Sequence, residues 1–186
     1  MNLRPLTLDD LDRLLDIDAV IDATHYIHVD RQGEGLEQGF KVEQRVSRDK
    51  SPRPSEVDDD LNFALKQLAT GAEDGIAMVA EHEGQLVALV AGMPDVARGT
   101  VELIDLRVDF DRRREGLGSA LLYQIINYAR DREARAIRAE VRSNNLPINA
   151  LLAKTGFELA GLDTHRTSNH DLVKEQATLI WYLVLG

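Results

Sequence analysis

Apolar residues recur along the chain with two different periods, and the switches between them mark out the elements. Leu3 and Pro5, followed by the polar Thr7, form a short extended segment. From Asp9 the spacing of Leu11, Leu14, Leu15, Ile17, Ala19 and Val20 predicts a helix, with Thr7 or Asp9 at its cap. Residues 21–54 keep no steady period. Gly33, Gly35, several charges, Pro52 and Pro54 predict an irregular or partly helical connection there. Ser55 and Asp58 have capping-box spacing before a helix that buries Leu61, Ala64, Leu65 and Leu68 and ends at Gly71.

Strands are then expected over residues 76–81 and 86–93, joined at His82, Glu83, Gly84 and Gln85 as a hairpin. A third strand covers 101–108. The next helix, 116–131, is apolar around much of its circumference and should be well buried. A strand at 136–141, a short helix at 145–155 ended by Gly156, and strands at 157–162 and 177–185 complete the chain. The strand–helix–strand run over 101–141 is a parallel βαβ crossover inside an otherwise hairpin-rich sheet. The fold class is therefore α/β: a mixed, mostly antiparallel sheet flanked by helices. One domain spans residues 1–186, with a variable segment at 21–55.

Composition narrows the function more than the fold. Apolar residues make up 44% and charged residues 29%, the balance of a soluble globular protein. Cysteine is absent, which excludes disulfides, thiolate metal sites and cysteine nucleophiles and fits a reducing, cytoplasmic location. Residues 1–8 carry no basic segment followed by an apolar run, so no signal peptide is expected. No stretch is apolar for long enough to cross a bilayer. The net charge of −10 gives nucleic-acid binding no electrostatic help; it would attract cationic small substrates such as amines, and it equally fits charge that only keeps the protein soluble.

Chemistry concentrates at the junction of the 101–108 strand with the 116–131 helix. Gly116 and Gly118 let main chain approach a ligand, and the first N–H groups of the helix lack internal partners. Those donors and the helix dipole suit a pyrophosphate, and Arg112, Arg113 and Arg114 add positive charge. The spacing alone also fits a tight turn with solvated arginines. No Gly-Lys-Ser/Thr follows, so the turn is not a Walker loop.

Arg113-x-x-Gly116-x-Gly118, after a strand ending Leu106–Arg107–Val108, resembles the acyl-CoA signature of the GNAT N-acyltransferase superfamily. Asn145 and Gly156–Phe157 fall where that superfamily has its Asn…Gly-Phe segment. The C-terminal half, through Asp105, Glu140, residues 156–163 and residues 179–182, further resembles the streptothricin acetyltransferases, which acetylate an amine on a lysine-like side chain. The resemblance implies a GNAT-like fold with its βαβ crossover at the CoA site, acetyl-CoA as acyl donor, and direct attack by an amine within a ternary complex. It implies that the backbones of Leu106 and Val108 hold the pantetheine arm. Arg113, Arg114, Gly116, Leu117, Gly118 and Ser119 would surround the pyrophosphate, and Asn145 would contact the arm near its thiol.

A lysine-like amine with pKa of about 10.4 is almost wholly protonated at neutral pH, so transfer calls for a base. Glu102 is the first candidate. Alternation places it on one face with Ile104, Leu106 and Val108, and Asp105, the second candidate, on the other. Glu140 is a third, or binds the acceptor's cationic group. Each of these carboxylates also fits a solvated strand residue. Tyr26, with His25 and His28, is expected to line the acceptor pocket or to pack locally. Asp22, His25 and His28 would share a helical face, but such spacing is common by chance and no metal site is assigned to it. His165 and His170 are expected to be exposed, and Trp181 to be core. The superfamily's general-acid tyrosine lies seven residues after the motif asparagine, which here is Leu152. Leucine donates no proton, and this leaves a second reading: an acyl-CoA-binding regulatory module without amine acetylation. The acceptor is a small molecule or peptide amine, and a homodimer stays open.

Overall fold

The computed structural model describes residues 1–21, 24–54 and 58–186. Among these the elements run β1 (Asn2–Pro5), β2 (His25–Gln32), β3 (Gly39–Val46), α1 (Asp59–Thr70), β4 (Ile76–His82), β5 (Gln85–Asp95), β6 (Thr100–Val108), α2 (Leu117–Asp131), β7 (Ala136–Arg142), α3 (Leu146–Lys154), β8 (Glu158–Asp163) and β9 (Thr178–Val184). They divide into two compact units. One holds Met1–Val20, Pro54–Ala139 and Tyr182–Gly186; the other holds Ile21–Arg53 and Glu140–Trp181.

In the first unit the strands lie in the order β1-β4-β5-β6-β7. Neighbours are antiparallel except for β6 and β7, which run parallel over Thr100–Leu103 and Ala136–Ala139. The β4–β5 turn carries positive φ at both Glu83 and Gly84, a conformation whose twist matches that of the flanking strands. One face of the sheet buries Val79, Leu86, Leu89 and Ala91 with Leu6, Leu14, Ile17 and Leu65. On the α2 side, Leu121, Leu122, Ile125 and Ala129 are fully buried. A Cβ at Gly92 would lie 3.1 Å from Ile125 Cδ1 and 3.3 Å from the Glu102 carbonyl oxygen, so any side chain there would press α2 and β6 by a few tenths of an ångström.

The second unit contains the two-stranded β2–β3 sheet, and β9 lies between β7 and β8. Trp181 is buried, as expected for core, and its indole N–H donates to Asn149 Oδ1 at 2.8 Å.

Two expectations fail. Residues 8–16 form 3-10 turns, Leu8–Asp10 and Asp12–Asp16, rather than an α-helix. Asp10 is buried and accepts from Arg4, from the Thr7 N–H and from the Thr7 hydroxyl, which ties the backbone in a tight local turn. Most of residues 21–54 form the β2–β3 hairpin rather than an irregular or helical connection. β2 has no clean alternation to announce it, since buried Tyr26 and Val29 lie on opposite faces. Helix α1 begins at Asp58, whose carboxylate accepts from the Leu61 N–H at 2.7 Å. Ser55 of the expected capping box lies outside the described residues.

Candidate functional site

Strand β6 delivers the chain to the turn before α2, and that turn is anchored from below. The Phe110 N–H donates to the Asp18 carbonyl at 2.8 Å, and Asp109 accepts from the Asp18 N–H at 3.0 Å. Asp109 also caps the 3-10 turn Phe110–Arg112. Arg113 points back into the turn: its Nε donates to the Val108 carbonyl at 3.3 Å, its guanidinium donates to the Val20 carbonyl, and it lies 5.0 Å from the Phe110 ring centre. Arg112 pairs with Glu115 at 3.9 Å, whereas Arg114 is exposed with φ of 67°. The three arginines that look alike in the sequence thus have three different surroundings.

Gly116 precedes α2 with φ of 85°, a left-handed conformation that favours glycine, and a Cβ there would meet nothing within 4 Å. No side chain caps α2, so the N–H groups of its first turn have no capping side-chain acceptor. This donor set fits a pyrophosphate, since main-chain N–H groups and the positive helix end both favour phosphate oxygens. Further back, the Asp109 N–H donates to the Val87 carbonyl at 2.8 Å. By alternation the main-chain groups of Leu106 and Val108 then point away from β5.

The candidate bases are arranged differently from the strand count. The β5–β6 register pairs Ala91 with Asp105 but Gly92 with Leu103, so Ile104 is an extra residue in a β-bulge. Glu102, opposite Met93, therefore shares a face with Asp105, opposite Ala91; Leu106 and Val108, opposite Val90 and Ala88, take the other face. The expectation that Glu102 aligns with Leu106 and Val108 is corrected by that single inserted residue.

Glu102 accepts from the Thr100 hydroxyl at 2.9 Å and from Arg138 at 2.9 Å, and its side chain is 23% exposed. Arg138 also lies 6.0 Å from the Tyr182 ring centre. Asp105 accepts from Arg107 Nε at 2.9 Å, and both side chains are nearly buried. Burial pushes the Asp105 carboxyl above its usual range, and Arg107 opposes the shift. Arg138 and Arg107 were not singled out in the sequence. Only the i, i+2 spacing of Asp105 and Arg107 signals a pair there, and nothing local signals Arg138.

In the second unit, Asn145 stands at the start of α3 and its Oδ1 accepts from the Ile148 N–H at 3.4 Å. Asn149 is buried, and its amide donates to the Arg142 and Asn145 carbonyls. Leu152 is fully buried, a packing residue. Glu140 pairs with Arg166 at 3.0 Å. Tyr26 is buried on β2 with its hydroxyl 2.9 Å from His28 Nδ1. Burial, and after it Glu175, push the Tyr26 phenol up. His25 and His28 lie on a strand with opposite facing rather than on one helical face, and Asp22 lies outside the described residues. Among the described residues no cluster of three metal-ligating side chains exists, and no helix is long and apolar enough to cross a membrane. His165 and His170 are exposed.

Comparison with known proteins agrees with this geometry. The model of the acetyltransferase (GNAT) family matches residues 42–157, more than half of the chain. A streptothricin acetyltransferase from Escherichia coli is 30% identical over 79 residues, which is 42% of this chain and 45% of that protein. The chain thus matches less than half the length of this curated relative. Among solved structures, a nourseothricin acetyltransferase superposes with a TM-score of 0.78 at 21% identity, covering 100% of this chain and 98% of the other. A Bacillus anthracis protein assigned as a streptothricin acetyltransferase, solved with acetyl coenzyme A, gives a TM-score of 0.72 at 18% identity over 99% of each chain. At these identities the superpositions establish the fold.

Proposed function

The chain belongs to the GNAT acetyltransferase family, and on that premise we propose that it transfers an acetyl group from acetyl-CoA to a primary amine of a small molecule or peptide, by direct attack within a ternary complex. One observation carries the donor half of this reading. Helices α1 and α3 are capped by Asp58 and Asn145, whereas α2 starts behind a left-handed glycine with no capping side chain. The uncapped N–H groups of Leu117, Gly118 and Ser119 take the pyrophosphate, with Arg114 adding charge at its edge. Arg113 holds the turn in shape from behind rather than reaching the phosphates. The outward main-chain groups of Leu106 and the outward N–H of Val108 hold the pantetheine arm, while the Val108 carbonyl accepts from Arg113 Nε. Bound acetyl-CoA supplies a thioester: the amine nitrogen bonds to its carbonyl carbon, the C–S bond breaks, and CoA leaves as the thiolate of a thiol with a pKa of about 8.5, a fair leaving group without a general acid.

Glu102 removes the ammonium proton, because it is the partly exposed member of the two carboxylates on the bulged face. Asp105 stays in its buried pair with Arg107 and fixes the bulge. The resemblance of the C-terminal half to the streptothricin acetyltransferases favours an amine on a lysine-like side chain as acceptor.

The test is a panel of amines with acetyl-CoA, read by thiol release. Glu102→Gln is expected to lower kcat by about a hundred-fold with little change in acetyl-CoA affinity. Tight acetyl-CoA binding without thiol release from any amine would instead favour a binding module, the reading that Leu152 raises. Asp105 has a separate signature. Its folded pKa is raised, so above the ordinary aspartate range of about 3.9 the folded chain keeps a proton that the unfolded chain has lost. Stability therefore falls as pH rises through that window. Asp105→Asn should remove this slope in melting temperatures measured from about pH 4 upward.

A further inference from the structure

The outer edge of β3 has no established role and is unusually open. β3 pairs with β2 continuously from Gly39 to Val46, with no bulge, and no proline interrupts it. Among the described residues it has no other strand partner. All but one of its residues are exposed. A two-stranded sheet is marginal by itself, and an open edge is commonly blunted by a bulge, a proline or charged side chains. Here bulge and proline are absent, and the charges Lys41, Glu43 and Arg45 alternate in sign and pair within the strand, so they leave no net block of one sign to repel a second copy.

The direction of the free backbone groups follows from two bonds. The Ile27 N–H donates to the Ser143 carbonyl at 2.8 Å, so the main-chain groups of Ile27, and those of Gln44 opposite it, point away from the β2–β3 ladder. The Ser47 N–H donates to the Thr24 carbonyl on the β2 side at 2.9 Å, which confirms the alternation. Phe40, Val42, Gln44 and Val46 therefore present unpaired N–H and C=O groups along the outer edge. Phe40, Val42 and Val46 are also exposed hydrophobics, while Lys41, Glu43 and Arg45 alternate in sign on the opposite face.

We propose that β3 is a self-complementary edge on which a second copy of this chain docks. Two β3 strands pair antiparallel about a two-fold axis at Val42 and form a four-stranded sheet. Charge selects the register. An axis at Glu43 would set Glu43 against the partner's Glu43 and Lys41 against the partner's Arg45. An axis at Val42 sets Lys41 against the partner's Glu43, Val42 against the partner's Val42, and Phe40 against the partner's Gln44. It overlaps Gly39 through Arg45, whereas an axis at Gln44 overlaps only Val42 through Val46. Reciprocal main-chain bonds form at the Val42 pair and at both Phe40–Gln44 pairs. A single strand pair buries less than a standard interface, so the dimer is weak, with Kd on the order of tens of micromolar.

Sedimentation equilibrium of the full chain, from about 1 to 500 μM, tests the proposal. A monomer–dimer equilibrium is expected, weakened more than about ten-fold by Lys41→Glu or Glu43→Lys alone and restored by the two together. The chain has no cysteine, so single thiols report the register cleanly. Val42→Cys should cross-link on oxidation, because directly opposed residues of a hydrogen-bonded pair lie about 5.5 Å apart at Cα. Gln44→Cys should not, since the two copies of that residue lie about 14 Å apart. A monomer at every concentration, a dimer indifferent to both charge reversals, or cross-linking at Gln44→Cys in place of Val42→Cys would each overturn it.

Discussion

Helices α2 and α3 each follow a strand and a short turn, yet their first turns are finished in opposite ways. α3 starts at Asn145, whose carboxamide accepts from the Ile148 N–H, and buried Asn149 adds bonds to the Arg142 and Asn145 carbonyls. Its N-terminus is closed by the chain itself. α2 starts at Gly116, with left-handed φ, empty space where a Cβ would be, and no capping side chain. Its N-terminus is left for something else to close. The difference separates two roles that a polar or glycine residue before an apolar run can play: completing a helix, or exposing it to an anion.

The comparison breaks most sharply at Gly118, in the first turn of α2. Gly118→Trp should weaken acetyl-CoA binding by at least about a thousand-fold in calorimetry, because a large side chain on that turn fills the space above its N–H groups. Circular dichroism and melting temperature should stay close to those of the parent. Unchanged affinity would mean that the open end of α2 is not the donor site. A smaller and more pointed effect is expected at Gly116. Asparagine and aspartate are nearly isosteric and both visit a left-handed backbone, so charge is the main difference between Gly116→Asn and Gly116→Asp. The aspartate variant should bind acetyl-CoA about ten-fold more weakly than the asparagine variant, through repulsion of the pyrophosphate. It should nevertheless melt no lower, since a carboxylate favours a helix N-terminus. Equal affinities in the two variants would argue against an anion at this turn.

This contrast also marks how far the sequence could be read. The crossover at β6, α2 and β7 was legible because its apolar periods are long and the glycines of the turn carry a backbone requirement of their own. The same holds for the β4–β5 hairpin and for the end of α1 at Gly71. What was hidden depended on long-range partners. The bulge at Ile104 shows only in the register with β5, and it moved Glu102 onto the face of Asp105. Arg138 lies far along the chain from Glu102 and meets it only through the parallel pairing of β6 with β7. β2 was missed because its buried residues do not alternate, and β3 because an exposed strand needs no apolar period at all. The helix expected from Asp9 failed for a third reason: a buried carboxylate bonded to Arg4 and Thr7 holds the backbone in tight turns.

The smallest effect tests the closed end. If Asn145 serves α3 as a cap, Asn145→Ala should cost about 1 kcal/mol of stability in chemical denaturation. Asn145→Asp should recover most of it, because aspartate accepts the Ile148 N–H as well as asparagine does. The resemblance to the superfamily assigns the same residue a contact with the CoA arm, and the two roles separate on the donor side. A carboxamide that donates to the arm is lost in both variants, since neither alanine nor a carboxylate can donate in its place. A contact of that kind would therefore lower acetyl-CoA affinity by several-fold in Asn145→Ala and Asn145→Asp alike, whatever their stability. Stability rescued by aspartate with affinity unchanged in both variants would make Asn145 a cap alone and leave the open start of α2 as the anchoring point for the donor.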